Sequence, residues 1–293
     1  MSLSLIIGAI EIGIIFGICS LGLFMAFRIL NLPDLTVDGS FVTGLAFSAI
    51  FAAQGQPLLG IILGVLGGVL AGIITGVLHT KFKIQEILAG ILTMTALYSI
   101  NLKIMNNQPS IFLYGIDTIF TPFLNKIILG GVDFGNLIVL AVIAIFLVIV
   151  YFFFFKTLTG LALRATGDNE AMVRSSSINT DTMKILGFAI TNAVVALGGG
   201  LYAQYTQTAA HGAGVGTLVL CCASIIIGET VFGKKRGMLH HLISILLGAV
   251  LYRLLISYAF VLGLPASDLK LFSALIVVVA MVLPQIKFGR KKA

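Results

Sequence analysis

Few side chains in this 293-residue chain could do chemistry, and the phosphate-holding pattern is the first to test. The run Gly228-Glu-Thr-Val-Phe-Gly233-Lys234-Lys235 follows G-x-x-x-x-G-K but lacks the final Ser or Thr that would hold magnesium. Such a loop also needs a strand before it, and here an apolar block precedes it. The Lys-Lys-Arg cluster at 234–236 reads instead as a membrane-surface anchor. The four histidines, His79, His211, His240 and His241, belong to no H-E-x-x-H, and nothing in the sequence places a carboxylate near them. Three stand at the ends of apolar blocks, where capping or snorkelling is the ordinary role, and His211 lies in a turn on the other side. Cys19, Cys221 and Cys222 are odd in number, sit in apolar blocks and form no C-x-x-C, which supports neither a disulfide framework nor a zinc site. The chain is not expected to be an enzyme.

Ionisable groups at membrane depth are costly and mark functional candidates. Glu11 and Arg253 lie within apolar blocks, where they could pair or line a path. Proton-coupled carriers bury several carboxylates. Here only Glu11 is well inside a block, with Asp38, Glu86 and Glu229 near block ends, which argues against a secondary carrier. Uncharged polar groups fit solute passage better. Thr93, Thr95, Tyr98 and Asn101 recur at helical spacing on one block, and Asn192, Tyr202 and Gln204 on another. These seven are the candidate solute path.

The elements that position these residues follow from composition. The chain is 59% hydrophobic and 10% charged, with a mean hydropathy of +1.12. A soluble domain carries about 25% charged residues, so a globular cytosolic or secreted enzyme is excluded. The apolar blocks have the length that crosses about 30 Å of hydrocarbon as a helix. Nine spans are predicted, near 5–27, 35–53, 58–79, 87–105, 135–155, 185–205, 213–232, 239–262 and 269–286. The fold class is all-α, a polytopic membrane protein forming a single domain over 1–293. The stretch 32–40, with a Pro, a Gly and two acids, suggests a broken or half-inserted helix. Gly60, Gly64, Gly68, Gly72 and Gly76 form a ridge that lets another backbone approach closely.

Between spans, one set of ends holds 14 Lys and Arg and the opposite set 3, with Arg253 inside a span. Basic residues stay cytoplasmic, so the N-terminus is expected outside and the C-terminus inside. That placement accounts for the net charge of +7 without a nucleic-acid partner. No basic residue precedes the first apolar block, so that block does not read as a cleaved signal peptide.

The loop 160–184 is then cytoplasmic. In Arg164-Ala-Thr-Gly167-Asp168-Asn169-Glu170-Ala-Met172-Val173-Arg174, Asp168 is expected to cap a short helix that Asn169 and Glu170 support through its dipole. Met172 and Val173 would be exposed as a docking surface for a soluble partner.

With Ile178-Asn179, this loop resembles the R-A-x-G-x-N-x-x-A-x-x-x-G-I-N loop of permease subunits of bacterial ABC importers, the branched-chain amino acid, ribose and nucleoside group. Ser177 stands where that pattern often has Gly. Leu35-Thr-Val-Asp38-Gly39-Ser40 and the run from Glu86 through Gly90, Thr93, Thr95 and Tyr98 to Asn101 resemble a subgroup associated with aromatic amino acids, tryptophan or tyrosine. The resemblance implies a bacterial plasma-membrane importer with two permease copies, read as a homodimer in the bilayer. It also implies two copies of a separate ATPase and an extracytoplasmic solute-binding protein. ATP and Mg would sit on the ATPase, with no cofactor in this chain. Arg164, Gly167, Asp168, Asn169, Glu170, Met172, Val173 and Arg174 would couple to that ATPase. The alternatives are a ribose- or nucleoside-type permease and a stand-alone carrier or channel.

Overall fold

The computed structural model describes residues 3–123, 128–129, 132–233, 237–263, 265, 268 and 271–279. Its helices are α1 (Leu3–Phe24), α2 (Thr36–Ala53), α3 (Pro57–Thr80), α4 (Glu86–Ile104), α5 (Gly135–Phe154), α6 (Leu158–Asp168), α7 (Glu170–Ser175), α8 (Thr180–Thr206), α9 (Thr217–Phe232) and α10 (Met238–Val261). Short strands β1 (Ser110–Phe112), β2 (Ile128–Leu129), β3 (Val132–Asp133) and β4 (Thr208–Ala210) lie between them. Eight helical segments among the described residues are long and apolar enough to cross a membrane. The protein is an all-α polytopic membrane protein. The ninth expected span is helical over 271–279, and the rest of it lies outside the described residues, as do Lys126, residues 234–236, Lys270 and residues 280–293.

Two expected boundaries move. The span expected from 185 begins at Thr180, and the one expected from 213 is split into a 3-10 turn, His211–Gly214, followed by α9. The stretch 32–40 is the break between α1 and α2. It follows a π-helical turn, Met25–Ile29, that extends α1. Asn31 then adopts a φ of 55°, and the Asp34 carboxylate accepts the Thr36 N–H at 2.9 Å, opening α2. This break lies inside the bundle. Asp34 is bonded to Asn192, near the middle of the 27-residue α8. A Cβ on Gly90, one turn into α4, would stand 2.9 Å from the Leu35 nitrogen. Irregular backbone at such a position is tolerated only where protein or a cavity satisfies it.

α8 is the central helix, packed against α2, α3 and α1, while α1 also packs on α10. The glycine ridge of α3 makes that packing possible. A Cβ on Gly64 would come within 3.0 Å of Gly44 Cα on α2. On Gly68 and Gly72 it would run into the carbonyls of Asn192 and Phe188 on α8. The outer faces of α3 and α5 leave Leu58, Leu66, Leu70, Ile145 and Phe146 exposed, as a lipid-facing surface requires. Residues 106–123 form no span. Their β1 pairs antiparallel with β4, Ser110 opposite Ala210 and Phe112 opposite Thr208.

Candidate functional site

The segment expected to couple is a helical hairpin. Thr157 starts α6 by accepting the Gly160 N–H on its hydroxyl at 3.2 Å. The expected cap at Asp168 is displaced by one residue: Asp168 is the last residue of α6, and the Asn169 N–H still bonds the Ala165 carbonyl at 2.9 Å. Asn169 turns extended, with φ −156°, and its side chain caps α7 by accepting the Met172 N–H at 3.0 Å. Two adjacent residues could each serve as cap, and the preceding helix claims the first. Val173 also departs from expectation. It is 2% exposed and packs inward, while Met172 is 56% exposed. Neighbours on a helix point about 100° apart, and here that step turns Val173 inward while Ala171 and Met172 face outward. Ser177 holds the left-handed conformation that its Gly-favouring position calls for, with φ 62°.

Glu170 ties the hairpin to the start of α8. Its carboxylate receives Lys184 Nζ and Arg174 Nη2, each at 2.8 Å, and the Thr180 hydroxyl at 3.1 Å. Arg174 also reaches Asp181 at 3.2 Å. Arg164 is exposed on α6. Gly167 sits so close to the π-helical turn of α1 that a Cβ there would collide with the Ile29 carbonyl, and Asn31 Nδ2 donates to the Gly167 carbonyl at 3.2 Å. The hairpin therefore bears directly on the α1–α2 break. A cleft of about 400 Å³ separates its base at Glu170 and Lys184 from the α3–α4 turn at His79, Lys83 and Glu86.

The bond from Lys184 holds the Glu170 carboxyl below its usual range; burial opposes it less strongly, and the charge of Lys184, the Thr180 hydroxyl and Arg174 add smaller effects in the lowering direction. A depressed folded-state pKa stabilises the hairpin above the ordinary carboxylate pKa and loses that contribution as pH falls through the folded value. The protection of the α7 amides, measured as exchange relative to the intrinsic rate at each pH, is expected to fall as pH drops below about 4.5, and Glu170→Gln is expected to remove that fall in protection. A profile unchanged by Glu170→Gln would exclude Glu170 as the group responsible.

The seven candidate path residues occupy three environments. Thr93 is buried and returns its hydroxyl to the Ala89 carbonyl at 3.0 Å. Thr95, Tyr98 and Asn101 line a cavity of about 300 Å³ between α4, α2 and the turn before α9. On α8, Asn192 is a bonding hub: its carbonyl accepts the Ser40 hydroxyl at 2.6 Å, and its amide donates to Asp34 at 2.7 Å and to the Phe188 carbonyl at 2.9 Å. Gln204 donates to the Ser48 hydroxyl and the Pro57 carbonyl and accepts the Ile119 N–H, all at 2.9 Å. Tyr202 packs its ring on Phe16 and Phe41 at 5.7 and 5.6 Å. The α4 and α8 groups do not share one wall, because α2 packs against both helices.

Sequence reasoning passed over two groups in that cavity, Asp38 and His211. Asp38 is not near a bundle end: the Ser40 that follows it bonds Asn192, halfway along α8. The histidines also gain carboxylates that the sequence did not show. His241 Nε2 lies 3.0 Å from Glu229, which Arg28 also pairs, and His79 Nδ1 lies 3.9 Å from Glu86. Glu11 accepts the Tyr205 hydroxyl at 2.8 Å. Among the described residues no ion pair joins Glu11 to Arg253, whose Nε is buried without a partner.

The family model described as branched-chain amino acid transport system, permease component, matches residues 5–282. The chain belongs to that permease family. A tyrosine transport system permease protein of Clostridioides difficile is 36% identical over 98% of this chain and 94% of its own length. An uncharacterised protein of Rickettsia prowazekii is 29% identical over 95% of this chain and 97% of its own. The ribose import permease of Haemophilus influenzae is more distant, 27% identical over 72% of this chain and 63% of its own. No solved structure gives a significant match. The permease is thus a transporter component, and its helices make it a membrane protein.

Proposed function

We propose that this permease is the membrane-spanning subunit of an ATP-driven, binding-protein-dependent importer of a small polar solute, an aromatic amino acid before others. The observation that carries the reading is the near full-length similarity to a relative named for tyrosine transport, within a family of transport permeases. Two copies would form the path as a homodimer. Two ATPase subunits would bind ATP and Mg and dock on the α6–α7 hairpins, and a solute-binding protein would deliver from outside. The site would be the bacterial cell membrane, with the N-terminus outside and the C-terminus inside. The hairpin supports this reading because it joins an exposed Met172 to the α1–α2 break through Gly167. Motion at the hairpin would then reach the middle of α8 through Asp34 and Asn192. The ribose-type reading has the weaker similarity, 27% over 72% of this chain.

Uptake of labelled tyrosine, tryptophan, phenylalanine and ribose, in cells carrying the complete system with and without this chain, tests the proposal. Loss of aromatic uptake alone is the expected result, and loss of ribose uptake alone would replace the reading. In the same cells, Asp168→Cys should be labelled only from the cytoplasm and Gln108→Cys only from outside. The reverse pattern would overturn the orientation.

A further inference from the structure

After α8 ends, the chain turns back into the bundle. β4 and the His211–Gly214 turn run along α2 until a Cβ on Gly214 would collide with the Asp38 carbonyl. α9 begins there and is capped by a residue from another helix. The N–H groups of Gly216 and Leu218 donate to the Asp38 carboxylate at 3.1 and 2.8 Å. Two helix starts, those of α2 and α9, therefore meet at about the level of Asn192 beside the 300 Å³ cavity. In transporters, helices interrupted at depth with irregular backbone against a cavity form solute sites. The volume lies at the small end of ligand pockets.

The lining specifies a class of solute. Val42, Met94 and Val215 supply apolar surface. The Tyr98 ring stands edge-on to His211, centroids 4.3 Å apart and planes at 86°. Asn101 is 1% exposed. Its amide nitrogen donates to the Gly39 carbonyl at 3.0 Å, while its Oδ1 is buried with no partner. His211 Nδ1 is likewise buried and unpartnered. An orphaned buried acceptor carries an uncompensated desolvation cost, which a donor on a bound solute would recover. Asp38 keeps lone pairs beyond the two that the backbone amides use. Those amides, the natural seat for an anion at a helix start, are already occupied by Asp38, so a solute carboxylate finds no place there.

We propose that this cavity is the permease's own solute subsite. It takes the ammonium of an amino acid against Asp38 and Asn101 Oδ1 and packs an aromatic side chain against Tyr98 and Met94. The proposal rests on the amino-acid importer reading and adds to it the residues and the ammonium-inward orientation.

The test is competition against labelled tyrosine on the purified full-length chain in lipid nanodiscs, without binding protein to filter the ligands. Tyramine, which keeps the amine, is expected to compete. The deaminated 3-(4-hydroxyphenyl)propionate is expected to compete at least about tenfold more weakly, as for loss of a charged hydrogen bond. Asn101→Leu and Tyr98→Ala should each weaken tyrosine binding by a similar factor, whereas Tyr114→Ala, exposed outside the cavity, should not. Because Tyr98 is largely exposed, its variant keeps the test decisive if Asn101→Leu fails to fold. Equal competition by the deaminated analogue, or full affinity in Tyr98→Ala, would overturn the subsite. In cells, tyrosine uptake with a KM unchanged by Tyr98→Ala sinks the subsite and leaves the importer reading intact. No aromatic uptake by the unmodified system sinks the importer reading, and the subsite with it.

Discussion

Glu170→Lys and Met172→Asp are expected to abolish solute-stimulated ATP hydrolysis and uptake while the permease still inserts and folds. Glu170 gathers Lys184 and Arg174 at 2.8 Å each and closes the base of the hairpin on α8. A lysine there would replace two attractions by two repulsions at the same spacing. The surrounding water and the partial exposure of the cluster keep the global cost small, so the damage falls on the hairpin's position. Met172 makes the complementary case. It is exposed on a six-residue helix whose other large apolar residue, Val173, is turned inward, so it is the large apolar anchor that α7 offers to a partner. Loss of a central anchor costs about 2 kcal/mol or more, roughly thirtyfold in affinity. The measurement is ATP hydrolysis in the reconstituted complex with and without solute. Full stimulation in Met172→Asp would remove the hairpin from the coupling role and turn attention to the α3–α4 turn across the 400 Å³ cleft.

How much of this was legible in the sequence follows from the length scale of each interaction. The spans were legible because apolar runs answer to the bilayer alone, and the glycine ridge because its spacing is a property of one helix. The cap of α7 was misplaced by one residue. Asp168 and Asn169 are equivalent as caps, and the choice depends on where α6 ends, which packing of Gly167 on Ile29 helps decide. The polar residues of α8 were read as path because they are polar in an apolar block. At that depth, however, a polar group must be bonded, and the Ser40 and Asp34 partners of Asn192 and the Ser48 partner of Gln204 lie on α2 and the break before it, more than 150 residues away. The cavity was half legible. Thr95, Tyr98 and Asn101 share one helix face, while Asp38 joins them because α2 packs on α4, with Asn101 bonded to the Gly39 carbonyl, and His211 because the chain folds back after α8; no local pattern announces either.

Asn192→Leu is expected to have the largest effect on stability. Leucine keeps the branched four-atom shape of the side chain and is larger than asparagine, so no cavity explains a loss. It removes the donor that reaches Asp34 at 2.7 Å and the acceptor of the Ser40 hydroxyl at 2.6 Å, both in groups with no exposure to solvent. Taking one partner from a buried charged group costs about 3–5 kcal/mol, comparable to a large fraction of a domain's whole stability. Asp34 keeps the Thr36 amide, which is local and cannot tie α2 to α8. Thermal unfolding in detergent should therefore show a large fall in midpoint for Asn192→Leu. The double variant Asp34→Leu, Asn192→Leu should recover part of it, because replacing both members of a buried polar pair by apolar groups removes the unpaired charge that makes the single change costly. A midpoint equal to that of the unmodified protein in Asn192→Leu would show that the hub carries no stability. A double variant less stable than the single one would show that Asp34 is held by groups other than Asn192, and the line of contact from the hairpin through Asp34 to α8 would lose its central link.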